Sequence, residues 1–290
     1  MGLENPRADA LSVDVEEYFH ATVFEGRIPR GEWDERRGRL DACVRRLLER
    51  FDEWNARATF FFLGWVAEKE KALVRAVSDA GHETASHGHD HRLVHDLGPS
   101  AFREDVRRSK RLLEDITGRP VRGYRAPTFS ITSRTLWALP ILAEESFVYD
   151  SSIFPIRHDR YGIHDFPRRP VRLRFGAGSL VEFPLSTWRV GRWNLPVSGG
   201  GYLRLLPPGV LARGLRSIRG EGLPVVLFIH PWEIDEGQPR VRLPFLSRAR
   251  HYGGIGRAEE RLRRLLAGHS FAPLGEVIES LALPDHFLSL

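Results

Sequence analysis

The sequence predicts an α/β protein built on a parallel sheet that curls toward a barrel. Short apolar runs alternate with amphipathic helical patterns, the rhythm of β-α-β units. The first strand-like run puts two acids on one face, a pattern that suits either a wet surface or the interior of a barrel covered by helices. Candidate reactive side chains also recur where strands are expected to end, the rim at which parallel barrels assemble their sites. The chain has 290 residues and is 42% hydrophobic, enough for one large domain or two ordinary ones.

The run Ala10-Leu11-Ser12-Val13-Asp14-Val15-Glu16 alternates with period two, so Leu11, Val13 and Val15 share one face and Ser12, Asp14 and Glu16 the other. Leu40, Val44, Leu47, Leu48 and Phe51 recur at helical spacing, and 58–63 (ATFFFL) reads as a buried strand. A helix over about 66–80 stops at Gly81, and a strand leads into Glu83-Thr84-Ala85-Ser86-His87-Gly88-His89-Asp90-His91. A long helix follows, with Pro99 near its start and Gly118 as its stop. A short strand is expected over 121–127, a helix over 133–145 and a strand over 147–150. Pro155, Pro167, Pro170, Pro184 and Pro196 then break the chain into irregular or hairpin pieces up to about 206. A helix over 208–219 leads to the strongest strand, Pro224-Val225-Val226-Leu227-Phe228-Ile229, which ends at His230. Helices over 258–267 and 274–281 close the tail. The expected organisation is a single domain over 1–290, with barrel motifs in 1–150 and 220–235, an elaboration in 151–206 and a helical extension in 236–290.

The lone cysteine, Cys43, excludes an internal disulfide and any cysteine-rich cluster, so a bound metal must be held by His, Asp or Glu. Of 43 basic residues only Lys69, Lys71 and Lys110 are lysines, and the net charge is +5. The arginines are interspersed with acids and form no nucleic-acid stripe. No apolar leader stands at 1–7 and no run approaches a membrane span, so a cytoplasmic location is expected.

The segment 87–91 packs three imidazoles and a carboxylate into five residues. A solvated histidine turn is the plain alternative to a metal site. As ligands, His87 and His91 fit best, but four strand positions span roughly 13 Å while zinc takes nitrogen at about 2 Å. The chain must therefore bend after His87, which Gly88 eases.

Five segments in order, Ser12-Val13-Asp14-Val15-Glu16, Ser86-His87-Gly88-His89-Asp90-His91, Arg125-Ala126-Pro127, Tyr149-Asp150-Ser151-Ser152 and Ile229-His230-Pro231, resemble the motifs of the NodB-type polysaccharide deacetylases, carbohydrate esterase family four. Gly123-Tyr124-Arg125-Ala126-Pro127, Ser198-Gly199-Gly200-Gly201-Tyr202 and His230-Pro231-Trp232-Glu233 are most similar to its exosortase-associated subgroup. The resemblance implies an incomplete, distorted (β/α) barrel, a zinc or other divalent ion (Co2+, Ni2+ or Mn2+), and hydrolysis of N-acetyl groups on an amino-sugar polysaccharide or oligosaccharide, with a place in exopolysaccharide biosynthesis. It implies that Asp14 is the general base, that His87 and His91 are ligands, that Arg125 keeps the base ionised, and that Asp150 orients His230, the general acid. The family commonly has two adjacent aspartates; here Glu16, two positions after Asp14, stands as third ligand, and an exchange of their roles stays open. Pro127, Tyr202 and Trp232 are candidate substrate contacts, and Trp188 and Trp193 are further aromatic candidates. A cyclic amide or ureide hydrolase of the same fold, and a carbohydrate-binding barrel without turnover, are the competing expectations.

Overall fold

The computed structural model describes residues 8–158, 160–176 and 178–288; the segment 1–7, read above for a leader, lies outside the described residues. Strands β1 (Asp9–Val15), β2 (Thr59–Phe62), β3 (Glu83–Ser86), β4 (Gly123–Tyr124) and β5 (Tyr149–Asp150) are followed by the hairpins β6 (Val171–Phe175) with β7 (Gly178–Glu182) and β8 (Thr187–Val190) with β9 (Trp193–Pro196). Then come β10 (Val226–Ile229), β11 (Phe271–Ala272) and β12 (Asp285–Phe287). The main sheet runs β10-β1-β2-β3-β4-β5-β7-β6-β12, with β11 also on β1. All its pairings are parallel except the β6–β7 hairpin. This is a distorted, incomplete (β/α) barrel.

Alternation in β1 sorts its residues between two cores. Leu11, Val13 and Val15 join Phe60, Phe62 and the helix residues Val44, Leu47 and Phe51 in the layer between sheet and helices. Ala10 joins Phe61, Ala85, Tyr149, Val181 and Phe228 inside the barrel. Ser12 and Asp14 share the face of Ala10, and both are buried, so the polar face lines the interior instead of meeting water. The helix Leu40–Glu53 covers the outer face through Leu40, Val44, Leu47 and Phe51. The long helix Val94–Thr117 breaks at Gly98 just before Pro99 and ends on left-handed Gly118, the stop read from sequence.

β7 lies in the stretch expected to be an elaboration, yet it pairs in parallel with β5 and is part of the barrel wall. Beyond it the wall is completed without a strand ladder. Ser186 Oγ accepts from Val226 N–H at 2.8 Å, Ser198 Oγ donates to the Ser186 carbonyl at 2.6 Å, and Phe228 N–H donates to the Ser198 carbonyl at 2.8 Å. Gly199 makes this seam possible: with φ +150, a Cβ there would stand 1.9 Å from the Phe228 carbonyl oxygen. Helix Phe245–Tyr252 was not anticipated, while Pro208–Gly220, Ala258–Leu266 and Leu274–Glu279 stand close to the expected places. Among the described residues no helix is long and apolar enough to cross a membrane.

Candidate active site

Glu16 stands one residue past the end of β1, His87 one past β3, Arg125 one past β4 and His230 one past β10, so parallel pairing brings all four to one rim. The bend needed after His87 is present: Gly88 has φ +75 and His91 itself is left-handed at φ +52. Backbone bonds from Gly64 and Trp65 to the carbonyls of Gly88 and His89, both 2.9 Å, clamp that loop. His91 then turns back toward His87. Glu16 Oε1 lies 2.9 Å from His87 Nε2 and 3.0 Å from His91 Nε2, and one ligand atom from each of the three falls within 4.8 Å of the others.

The donor set fits a divalent metal. His87 Nδ1 donates to the Arg125 carbonyl at 2.7 Å, which leaves Nε2 as a lone-pair acceptor in the neutral ring. That lone pair faces a carboxylate oxygen that is itself an acceptor, so the three groups together suit a cation. Burial alone would raise the Glu16 pKa, but the His91 imidazole, with His87 and His230 beside it, overrides that and holds the carboxyl well below its usual range. His89, between the two, is not part of the cluster: its Nδ1 bonds Asp90 at 2.7 Å and its Nε2 Glu68 at 3.2 Å.

Asp14 points elsewhere. Fully buried Arg125 donates from Nη1 to Asp14 Oδ1 at 2.7 Å and to Ser12 Oγ at 2.8 Å, and is fixed from behind by the Ser151 carbonyl and hydroxyl, each at 3.0 Å. Its guanidinium lies 4.2 Å over the Phe61 ring. His230 Nε2 is 3.9 Å from Asp14 Oδ2, too far for a hydrogen bond, so both groups are free to meet a reactant.

The expected pairing of Asp150 with His230 is corrected by the structure. Asp150 accepts from Ser152 Oγ at 2.5 Å and Ser152 N–H at 3.2 Å, and is in register with Glu182 on β7. Burial and the Asp150 charge push the Glu182 carboxyl well above the usual carboxylate range. The carboxylate on His230 is Glu233, which takes His230 Nδ1 at 3.2 Å and His230 N–H at 3.0 Å. Buried Arg204 donates through Nε to the other oxygen of Glu233 at 2.5 Å. Against the desolvation that would raise it, Arg204 and His230 hold Glu233 at about 2. Burial would lower the His230 pKa, but Glu233, with the charges of Glu16 and Asp14, pushes it up to about 9.

Sequence reasoning missed Glu233, Arg204, Glu182 and His20. Glu233 had a signal: it sits three residues after His230 across Pro231, the spacing of a capping box. His20 stacks on His91 with ring centroids 5.7 Å apart. Of the substrate candidates, Tyr202 and Trp232 line a cleft of about 200 Å3 together with Asp14, Glu16, His87, His91 and His230. Trp232 stacks on His230 at 4.9 Å. Pro127 does not line it; its neighbours Thr128 and Phe129 do, both at φ +54. Such paired left-handed backbone costs energy and concentrates at functional sites. Trp188 packs on Gly214 of a helix, and Trp193 is exposed at the β8–β9 hairpin between Arg157 and Arg192.

With this geometry in place, comparison with known proteins locates the class. Residues 31–142 match the family model "Polysaccharide deacetylase", and residues 151–279 match "Domain of unknown function (DUF3473)". A peptidoglycan deacetylase of Helicobacter pylori is 30% identical over 110 residues, 38% of this chain and 36% of that protein. The match thus spans about a third of that relative's length. A solved structure from Mycobacterium smegmatis, of a protein provisionally assigned as a polysaccharide deacetylase, is 23% identical over 99% of this chain and 96% of its own, with a TM-score of 0.63. A Bacillus anthracis pseudoenzyme of carbohydrate esterase family four is 14% identical over 98% and 70%, with a TM-score of 0.52. The fold is therefore that of the polysaccharide deacetylases, and residues 31–142 match that family's model.

Proposed function

We propose that the chain is a metal-dependent hydrolase that removes N-acetyl groups from an amino-sugar polysaccharide. The observation that carries this reading is the meeting on one rim of an acceptor cluster, Glu16, His87 and His91, with a carboxylate held by an arginine and an imidazole held by a carboxylate. A divalent ion held by Glu16, His87 and His91 would supply an acidified water and polarise the acetyl carbonyl. Asp14 takes a proton from the attacking water, and Arg125 keeps it ionised and aimed. Protonated His230 delivers a proton to the departing amine nitrogen, with Glu233 holding the imidazolium. Tyr202 offers an apolar face to a sugar ring, while the ring of buried Trp232 is taken up by stacking on His230 and His251.

The geometry favours Glu16 as ligand and Asp14 as base, because Glu16 faces both imidazoles while Asp14 faces Arg125. Zinc as the ion, a role in exopolysaccharide synthesis, the exosortase-associated subgroup and a cytoplasmic location complete the proposal, and the motif resemblance supports the first three. The pseudoenzyme among the structural relatives illustrates that a fold outlives its turnover, so the activity rests on the site residues. The deciding assay is acetate release from N-acetylglucosamine oligomers with and without a chelator. Chelator-sensitive release supports the reading; no release from metal-loaded protein overturns it.

A further inference from the structure

The exposed edge built by residues 239–250 is basic and carries apolar side chains at its tip. From 237 to 257 the chain carries Arg240, Arg242, Arg248, Arg250 and Arg257 and no acidic residue. Among the described residues, Arg240, Arg242, Arg248 and Arg250 have no carboxylate at ion-pair distance, and all four are exposed. Of the bordering acids, Asp235 is paired with Arg39, Glu259 with Arg46 and Arg50, and Glu260 with Arg263 and Arg264, while Glu236 is exposed beside Gly256. The nearest histidine, His251, is buried; desolvation and the Arg204 charge push it down to about 3, so it adds no charge.

At the tip of this basic edge stand the two large apolar residues that are most exposed among the described residues outside the strand Asp285–Phe287, Phe245 at 72% and Leu246 at 69%. They open the helix Phe245–Tyr252, whose opposite side, His251 and Tyr252, is anchored in the core against Trp232. Arg204 ties the backbone of this element down through the carbonyls of Arg250, His251 and Gly253. An apolar tip ringed by unpaired arginines on a rigid base is the composition that enters the headgroup boundary of an anionic bilayer. A nucleic-acid surface would account for the arginines and leave two exposed aliphatic and aromatic side chains at the apex without a purpose.

We propose that residues 239–250 form a peripheral docking surface for an anionic lipid bilayer, Phe245 and Leu246 entering the headgroup region and Arg240, Arg242, Arg248 and Arg250 meeting lipid phosphates. Docking is independent of the hydrolase reading, since it is measured without substrate. The full chain is sedimented with vesicles of phosphatidylcholine alone and of phosphatidylcholine mixed with phosphatidylglycerol, at low and high salt. Binding to the mixed vesicles only, released by salt, is expected. Each Arg→Gln change among Arg240, Arg242, Arg248 and Arg250 should weaken it about five-fold, the equivalent of ~1 kcal/mol. F245S/L246S should weaken it further while leaving the salt dependence in place. These positions are exposed, so thermal melting and circular dichroism should match the parent; should the double variant fail to fold, R242Q and R248Q singly provide the same test. Equal binding to neutral and anionic vesicles, no binding, or unchanged binding of the arginine variants overturns the proposal. So does self-association that F245S/L246S abolishes, or retention by DNA in the absence of vesicle binding.

Discussion

Two stretches of the chain supply opposite sides of the site, and they differ in how they hold their functional groups. The stretch matching the deacetylase family contributes His87, His91 and Arg125, packed into short loops directly after strands. The stretch matching a domain of unknown function contributes Tyr202, Arg204, His230 and Glu233, held by a relay of buried charges that runs from a helix to a strand end. The first half positions an acceptor cluster by backbone shape, through left-handed Gly88 and His91. The second positions an imidazole, His230, by electrostatics. Asp14 and Glu16, which complete the site, lie outside both matched stretches. The lesson is that the stretch matching a domain of unknown function contributes half of the candidate site's lining and is not an appendage to it.

The comparison breaks most decisively at the acceptor cluster. His87→Ala or His91→Ala should abolish acetate release together with tight metal binding, because only about three protein ligands are available. Elemental analysis finding unchanged metal in both variants would refute the cluster as drawn. Next in size, His230→Ala should retain metal and lose roughly 10²–10⁴-fold in turnover, the worth of general acid catalysis. An aryl acetate, whose leaving group needs little proton donation, should suffer far less; equal impairment on ester and amide would make His230 a structural residue.

The sharper test separates the two carboxylates. Glu233→Gln removes the charge that raises His230, so the alkaline limb of the rate profile should move down from the neighbourhood of pH 9 toward 6.5. Asp150→Asn should leave that limb where it is. A limb that moves in the Asp150 variant and stays in the Glu233 variant would restore the pairing expected from sequence.

The smallest expected effect is on stability of the metal-free chain. The folded-state pKa of His230 lies at about 9 against an ordinary 6.5, so its contribution is complete below pH 6.5 and is lost as pH rises through 9. That of Glu233 lies at about 2 against 4.5, so its contribution is complete above 4.5 and is lost as pH falls through 2. Each is worth ~3 kcal/mol at most, at ~1.4 kcal/mol per pH unit. Denaturant titrations of the parent and Glu233→Gln should converge at the acid extreme, and above pH 9 a difference should remain from the Arg204–Glu233 pair.

Where sequence and structure agree, the signal was local. The alternation in 10–16, the all-apolar 59–62 and 226–229, Gly88 and Gly118 each declare a conformation within a few residues. Where they part, the deciding contact was remote. Asp150 looked like the partner of His230 because both end strands, but β5 and β10 stand far apart in the sheet order, and Glu233 lies one turn away. β7 was hidden by prolines on either side, and its place is set by pairing with β5. The helix Phe245–Tyr252 escaped notice because its apolar Phe245 and Leu246 face outward, which spoils the stripe that marks a core-facing helix.

One feature of the sheet governs how the molecule is made. β1, among the first residues of the chain, lies between β2 and β10, so its register with Val226 to Ile229 closes a loop of more than 200 residues. Until β10 has been synthesised, one edge of β1 has no partner and Ser12, Asp14 and Glu16 have no enclosed interior to face. Closing so long a loop is slow, and unpaired strand edges invite association in the meantime. Asp14 and His230 come to one rim only when that closure is complete, so the candidate site cannot assemble before β10 has been made.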